Sequence, residues 1–360
     1  MAGKVWLGPL QRAGGHARWQ QRSGGAQRRR SAPAAWHKAV SVPLPPPHRR
    51  QKNACRRLQA SQERRIALGS AIPQTAVLVE PYEIQILANR RAQMSHSVIP
   101  SLDIVRRALA AEIAYTISRM QVLERIPGNP LAIAYRFFDE QAVALMSRLP
   151  AFCRVVGMRA GHEPQLEPLL VWYRQHGLRP TFEAVPGLYD AALGRELTRL
   201  GLFQSGFHAS LIGKPAMAPE SGEAEIELVS SAAVLEDYLE AYVAGWDIAE
   251  AHQAQFKSNV RPWLGQAGWS LYLARVQQRP AAAATLYLHR GVGYFADAAT
   301  HPAFRRRGLQ LELLRRRLQD AGAAGAELVC SGAEPFSSSH RNMERAGMRL
   351  QFVRAKWTPM

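Results

Sequence analysis

Cysteine is nearly missing from this 360-residue chain: Cys55, Cys153 and Cys330 are the only three, far apart, odd in number and never arranged as Cys-x-x-Cys. That excludes a disulfide framework and a thiolate metal site, and it fits a reducing, cytoplasmic setting. No histidine pair has ligand spacing either, so no metal centre is expected. Uninterrupted apolar runs fall short of the ~20 residues a membrane span requires. Acidic residues are absent from residues 1–62 altogether.

What is present divides unevenly. The formal charge is +18, yet up to Gln93 the chain carries 17 Lys and Arg against 3 Asp and Glu, and afterwards 29 against 25. The basicity therefore belongs to the first 93 residues and not to a nucleic-acid-binding fold. Arg, Ala, Gly, Pro and Gln dominate that stretch, with Pro43-Leu44-Pro45-Pro46-Pro47 in its middle. Such a composition cannot bury enough apolar surface to offset its ordering entropy, and disorder is expected. Three explanations compete for it: an electrostatic arm for nucleic acid, an Arg-containing transit peptide, or sequence translated upstream of a real start at Met94. The last is preferred, because Met94 sits just before the first regular helical pattern.

From Ser101 onward, periodicity returns. Leu102, Val105, Leu109, Ile113 and Ile117 mark one face of a long helix with Ser101 as its cap. Strands are expected over 131–138, 142–147 and 152–158, a helix over 166–175, a strand over 181–185, a helix over 188–200 ending at Gly201, and a strand over 207–212. A polar, Pro-containing linker, 215–222, follows.

The second half has strands over 269–274, 281–288 and 292–300, then the run His301-Pro302-Ala303-Phe304-Arg305-Arg306-Arg307-Gly308-Leu309-Gln310. Gly308 permits close backbone approach to a ligand, and the helix starting there offers unpaired N–H groups suited to an anion. In that helix Leu309, Leu311, Leu313, Leu314 and Leu318 form the apolar side, while Arg315, Arg316 and Arg317 are expected to face water mostly. Gly322 and Gly325 end it. A strand at 327–330, a helix capped by Ser337-Ser338-Ser339 and running to Ala346, and a last strand over 348–357 complete the chain.

Arg305-x-x-Gly308-x-Gln310, set in the order β-β-β-loop-α-β-α-β, resembles the acyl-CoA loop of the GCN5-related N-acetyltransferase (GNAT) superfamily over about residues 223–360. Gln310 departs from the family pattern, which has Gly or Ala there. The resemblance implies a mixed α/β sheet of the GNAT acyltransferase type and acetyl-CoA as acyl donor, with no metal. It implies that Ala298, Ala299 and Thr300 expose backbone to the pantetheine arm, and that Arg305, Arg306, Arg307, Gly308, Leu309 and Gln310 hold the pyrophosphate. It also implies direct attack by a small-molecule or peptide amine, without a covalent enzyme intermediate.

The tyrosine that serves many members as general acid would stand at Met343, which cannot donate a proton. Ser339 is the candidate nearest the CoA sulfur, and Asn342 the candidate for a pantetheine amide. For a general base the candidates are Asp297 on the central strand, His301 at its end, Asp247 at a helix exit, and His252 and Glu334 in loops. Trp246, Trp263, Trp269 and Tyr238 either line an amine pocket or belong to the core.

The same strand-helix-strand-helix-strand order recurs in residues 94–214. Leu197-Thr198-Arg199-Leu200-Gly201-Leu202 parallels Met343-Glu344-Arg345-Ala346-Gly347-Met348, which predicts a degenerate GNAT-like first half serving as scaffold or substrate wall. In its counterpart loop, Arg159 to Pro164, Glu163 adds negative charge and Pro164 removes an N–H. Two other readings stand beside acyl transfer: a CoA-binding pseudoenzyme, and a nucleic-acid binder acting through the basic segment. A chain beginning at Met94 is expected to keep full stability and activity. Loss of either, in thermal unfolding or thiol-release assays, would make residues 1–93 part of the working protein.

Overall fold

A computed structural model describes residues 101–216 and 222–360. The basic segment, Met94 and five residues of the expected linker lie outside the described residues. Helix α1 (Leu102–Glu124) starts where Ser101 accepts a hydrogen bond from the Ile104 N–H at 3.2 Å, the cap its sequence predicts. Then come β1 (Ala134–Asp139), β2 (Ala142–Met146), β3 (Arg154–Val156), α2 (Glu163–Gln175), β4 (Thr181–Ala184), α3 (Ala191–Arg199) and β5 (Leu202–Gly213).

The second half contains β6 (Glu225–Leu228), α4 (Ala232–Gly245), α5 (Glu250–Val260), β7 (Trp269–Val276), β8 (Arg279–His289) and β9 (Val292–Thr300). It closes with α6 (Leu309–Ala323), β10 (Leu328–Ala333), α7 (Ser338–Arg345) and β11 (Arg349–Pro359). The predicted repeat is visible in β1–β5 against β7–β11, with α2 matching α6 and α3 matching α7, while β6 and α5 have no first-half counterpart among the described residues. Two elements escape the periodicity. Helix α5 buries only Asn259 and Val260 and has no apolar stripe to read, so His252 stands on a helix where a loop is expected. Strand β6 is a short edge whose Glu225 and Glu227 alternate with Ile226 and Leu228.

All eleven strands form one sheet, in the order β1-β2-β3-β4-β11-β5-β10-β9-β8-β7-β6. Its centre is an exchange. The last strand of the second half, β11, lies between β4 and β5, while the last strand of the first half, β5, lies between β11 and β10. Each half thus completes the other's sheet, and both sets of backbone donors are satisfied only when the two come together.

Helices cover both faces. On one, α6 and α7 bury Leu313, Leu314, Leu318 and Met343 against Leu211, Ala284, Leu286 and Phe295, and α2 and α3 bury Leu169, Tyr173 and Leu197 against Val155 and Phe182. On the other, α1 crosses the seam. Its Leu109, Ile113 and Met120 pack on first-half strands, and its Ala108 and Ala111 on Ile212, Val292 and Cys330.

Arg317 corrects one expectation. It is 1% exposed on the buried side of α6, because its long stem follows the apolar face and its guanidinium finds the backbone carbonyls of Thr285 and Ala296 within the sheet. Arg315 and Arg316 keep partial contact with solvent.

Residues 101–216 produced alone would lack β11 between β4 and β5. They are expected to show no cooperative thermal transition by circular dichroism, and to gain one when residues 222–360 are co-produced. A cooperative melt of the isolated first half would contradict the exchange.

Candidate functional site

Strand β9 leads into the predicted anion loop. Arg305 turns back and pins it, donating to the carbonyls of Thr300 (3.2 Å) and Gly245 (3.0 Å) and pairing with Asp247 at 3.1 Å. Gly245 ends α4 directly on β9: a Cβ there would fall 2.7 Å from Ala299 Cβ and 2.8 Å from Thr300 N. Only glycine allows that approach. Arg306 and Gly308 are both left-handed, at φ 67° and 84°, which turns successive N–H groups the same way before α6 begins. Among the described residues, none of the backbone N–H groups of 306–310 has an acceptor. Two acids flank this concavity and both are engaged: Glu223 with Arg307 at 2.6 Å, and Glu312 with the Ala224 N–H at 3.3 Å.

Gln310, the departure from the family pattern, ties two helices together. Its amide donates to Ser339 Oγ (2.8 Å), and its carbonyl accepts from Asn342 Nδ2 (2.7 Å). The side chain therefore lies along the cavity wall and leaves its own N–H at the loop.

Beside the loop the sheet opens. β9 and β10 pair only at Val292–Leu328, Gly293–Val329 and Tyr294–Cys330; beyond that point Ser331 donates across to the Phe295 carbonyl at 2.8 Å and the strands diverge. Asp297 is left-handed, φ 49°, and the β8–β9 register slips between Ala283 and Thr285. This is a bulge, and it redirects backbone polar groups into the fork. A cavity of about 430 Å³ runs through it, lined on one side by Ala298, Gln310, Leu314, Ser339 and Met343.

The other side of that cavity comes from the first half: Glu112, Tyr115, Arg119, Arg154, Glu183 and His208, with Lys356 of the exchanged strand. Asp297 points there. It accepts a hydrogen bond from the Tyr115 hydroxyl and pairs with Arg119 at 3.1 Å. Arg119 is held between the Phe152 and Trp263 rings, at 4.7 and 4.8 Å from their centroids. Burial would lower its pKa, but the Asp297 carboxylate and Tyr115 outweigh that and raise it.

Deeper lies a closed set of charges. Arg354 on β11 reaches Glu112 (2.6 Å), Glu183 (2.8 Å) and Ser210 (2.9 Å), and Arg154 on β3 reaches Glu183 (2.7 Å) and Glu112 (3.0 Å). Burial pushes the Glu183 carboxyl up, yet Arg154 and Arg354 together hold it below the usual range. His208, next to this set, is pushed down to about 4 by burial and then by the Arg354 charge. It is neutral near pH 7.

The predicted residues therefore fall into groups. Gln310, Ser339, Ala298 and Asp297 share the cavity wall; Arg306, Gly308 and Leu309 form the loop; Arg305 and Arg307 are committed to carboxylates. Thr300 anchors Arg305, and Ala299 is buried against Gly245. His301 caps the turn after β9 by accepting from the Ala303 N–H, Asp247 pairs with Arg305, and Glu334 pairs with Lys356. Of the aromatics, Tyr238, Trp263 and Trp269 belong to the core, and Trp246 lines the cavity. Sequence reasoning missed Tyr115 and Arg119, which α1 carries across the seam, and Arg154, Glu183 and His208, which the joined sheet brings to the site. In the first half, the Gly161 N–H is occupied by Glu163 at 2.9 Å, so that loop supplies its own carboxylate where an anion would sit.

A sheet forked beside a glycine-containing loop that leads into a helix is the arrangement of the GNAT fold. Residues 216–336 match the family model Acetyltransferase (GNAT) domain, and the chain has the GNAT fold in two GNAT-like halves. The fold is similar to that of a GCN5-related N-acetyltransferase from Kribbella flavida: 17% identity, 70% of this chain and 96% of that one covered, TM-score 0.50. A GCN5-related N-acetyltransferase from Sphaerobacter thermophilus matches at 14% identity over 71% and 90% of the chains, TM-score 0.45. A tandem GNAT protein from the clavulanic acid biosynthesis pathway matches at 13% over 69% and 95%, TM-score 0.45. No curated protein matches the chain in sequence. Among the described residues no helix is long and apolar enough to cross a membrane, and no group of metal-ligating side chains occurs.

The buried charges set a pH dependence. His208 stays neutral in the fold down to about pH 4, whereas the unfolded chain takes up its proton near pH 6.5. Stability is thus complete above about 6.5 and declines as pH falls toward 4, with about one proton taken up on unfolding. Glu112 and Glu183, both held low, extend the decline in the same direction below the ordinary carboxylate range. His208→Gln is expected to remove the part between pH 6.5 and 5, read as Tm against pH. An unchanged profile would show that His208 is not the group responsible.

Proposed function

We propose that the chain is an acetyl-CoA-dependent N-acyltransferase that transfers an acetyl group to an amine in a ternary complex, with one acyl-CoA site per chain. The observation that carries this reading is the row of unpaired N–H groups at 306–310 opening onto the β9–β10 fork. In this reading the loop holds the pyrophosphate, with Arg306, exposed and without an ion-pair partner among the described residues, as its free cation. Bound there, acetyl-CoA supplies a thioester, the electrophile for the amine.

The chain's own groups have distinct tasks in this reading. The bulge at Asp297–Ala298 presents backbone N–H to the carbonyl oxygen, in the preorganised manner that stabilises developing negative charge. Ser339 and Asn342, fixed by Gln310, position the pantetheine arm. Asp297 holds Arg119 and Tyr115 at the acceptor entrance, and the first half supplies the acceptor wall. An amine that arrives neutral needs no base, since its surplus proton is lost to water after attack.

A second reading, a CoA-binding pseudoenzyme, has one specific observation in its favour. Met343 is 5% exposed in the fork and cannot serve as an acid.

Acetyl-CoA is expected to raise the Tm of the wild-type chain, and Arg306→Glu to weaken its binding by about tenfold or more, since it inverts a charge at the pyrophosphate. Isothermal titration measures this. Thiol release with a panel of primary amines then separates the two readings: turnover favours the transferase, and binding without turnover the pseudoenzyme. No acetyl-CoA-dependent change in the wild type would sink both.

A further inference from the structure

Arg317 is a buried cation without a carboxylate partner among the described residues. Its Nε donates to the Leu313 carbonyl (3.0 Å), and its Nη1 to the carbonyls of Thr285 (2.9 Å) and Ala296 (3.4 Å). The guanidinium lies 4.7 Å from the centre of the Phe295 ring. Thr285 and Ala296 are register partners across β8 and β9, the last pair before the bulge.

The repeat supplies an internal control. On α2, Leu169, Leu170 and Tyr173 occupy the places of Leu313, Leu314 and Arg317 on α6. The Tyr173 hydroxyl donates to the Leu145 carbonyl (2.6 Å) and reaches that of Arg154 (3.4 Å); Leu145 and Arg154 are register partners across β2 and β3. The same two carbonyls are thus capped in the first half by a neutral phenol. Capping them does not require a charge, and burying an uncompensated cation is unfavourable.

The two halves also differ in their forks. β3 and β4 stay paired at Arg154–Thr181 and Val155–Phe182, whereas β9 and β10 have parted by the equivalent level and the cavity reaches Arg317. The charge is found only where the fork is open. The titratable groups around it are Tyr272 on β7, Tyr238 on α4 and Asp297 on β9, and Asp297 is already paired with Arg119. Burial pushes the guanidinium down to about 10, so it remains charged near neutrality.

We propose that Arg317 is an electrostatic positioning residue that stabilises the CoA thiolate at the fork, in place of the proton donor that Met343 cannot be. This rests on the reading that the fork takes acyl-CoA. As the C–N bond forms and the C–S bond breaks, the electron pair stays on sulfur; the amine proton goes to water, and the thiolate is protonated after release. No acid on the enzyme is needed.

The test uses CoA itself. Binding to the wild type, Arg317→Lys, Arg317→Gln and Arg317→Tyr is measured by isothermal titration, and the pKa of the bound thiol by the pH dependence of its alkylation with iodoacetamide, with CoA-free protein as the blank. The wild type is expected to lower the thiol pKa by about one unit or more, the size expected of a nearby opposite charge. Arg317→Lys should retain the shift. Arg317→Gln, which keeps donors, and Arg317→Tyr, which copies the first half, should bind CoA and lose it. A role confined to capping carbonyls would leave the shift in the Gln and Tyr variants, and that result overturns the proposal. CoA bound to the wild type with an unshifted thiol also overturns it while sparing the transferase reading; absence of CoA binding removes both.

Discussion

The exchange of terminal strands is the constraint on which everything else rests. β11 enters the first half between β4 and β5, and it carries Arg354, whose guanidinium is saturated by Glu112, Glu183 and Ser210. A buried ion set of this kind contributes little net stability, because desolvation offsets most of the attraction. It is intolerant of wrong partners, however. A half-complete sheet would leave Glu112 and Glu183 buried with half their compensation, and so the charges specify which strand occupies the gap.

Through that exchange the first half becomes part of the second half's site. Helix α1 reaches under β9 to deliver Tyr115 and Arg119 to Asp297, and Lys356 and His208 meet at the cavity from different halves. The half in which Glu163 occupies the Gly161 N–H and the fork stays paired still forms one wall of the cavity. One half has the open fork, and the other supplies residues that face it.

The helices, the anion loop and the repeat could be read from the sequence because each is a local pattern. Ser101 before a 3.6-residue period, Gly308 between a strand and a helix, and Gly201 and Gly347 after matching helices are signals carried within a few residues. Strand order is not local. Nothing in the alternation of residues 349–359 distinguishes pairing with β10 from insertion beside β4, so the charged cluster and the first-half wall stayed hidden. Arg317 differs from its sequence expectation for a related reason: three consecutive arginines look solvated, and only the carbonyls of β8 and β9 show why one turns inward. Asp297 was found on the right strand, but its bulge and its Arg119 partner depend on contacts across some 180 residues of sequence.

Chain order gives the exchange a consequence in time. Synthesis runs from the N-terminus, and domains ordinarily fold as they emerge. Here the gap between β4 and β5 is filled by Arg349–Pro359, the last of the described strands to be synthesised. Until that strand emerges, two strand edges wait unpaired, and Glu112 and Glu183 have Arg154 but lack Arg354. The nascent first half is therefore committed to a delay as long as the synthesis of the second.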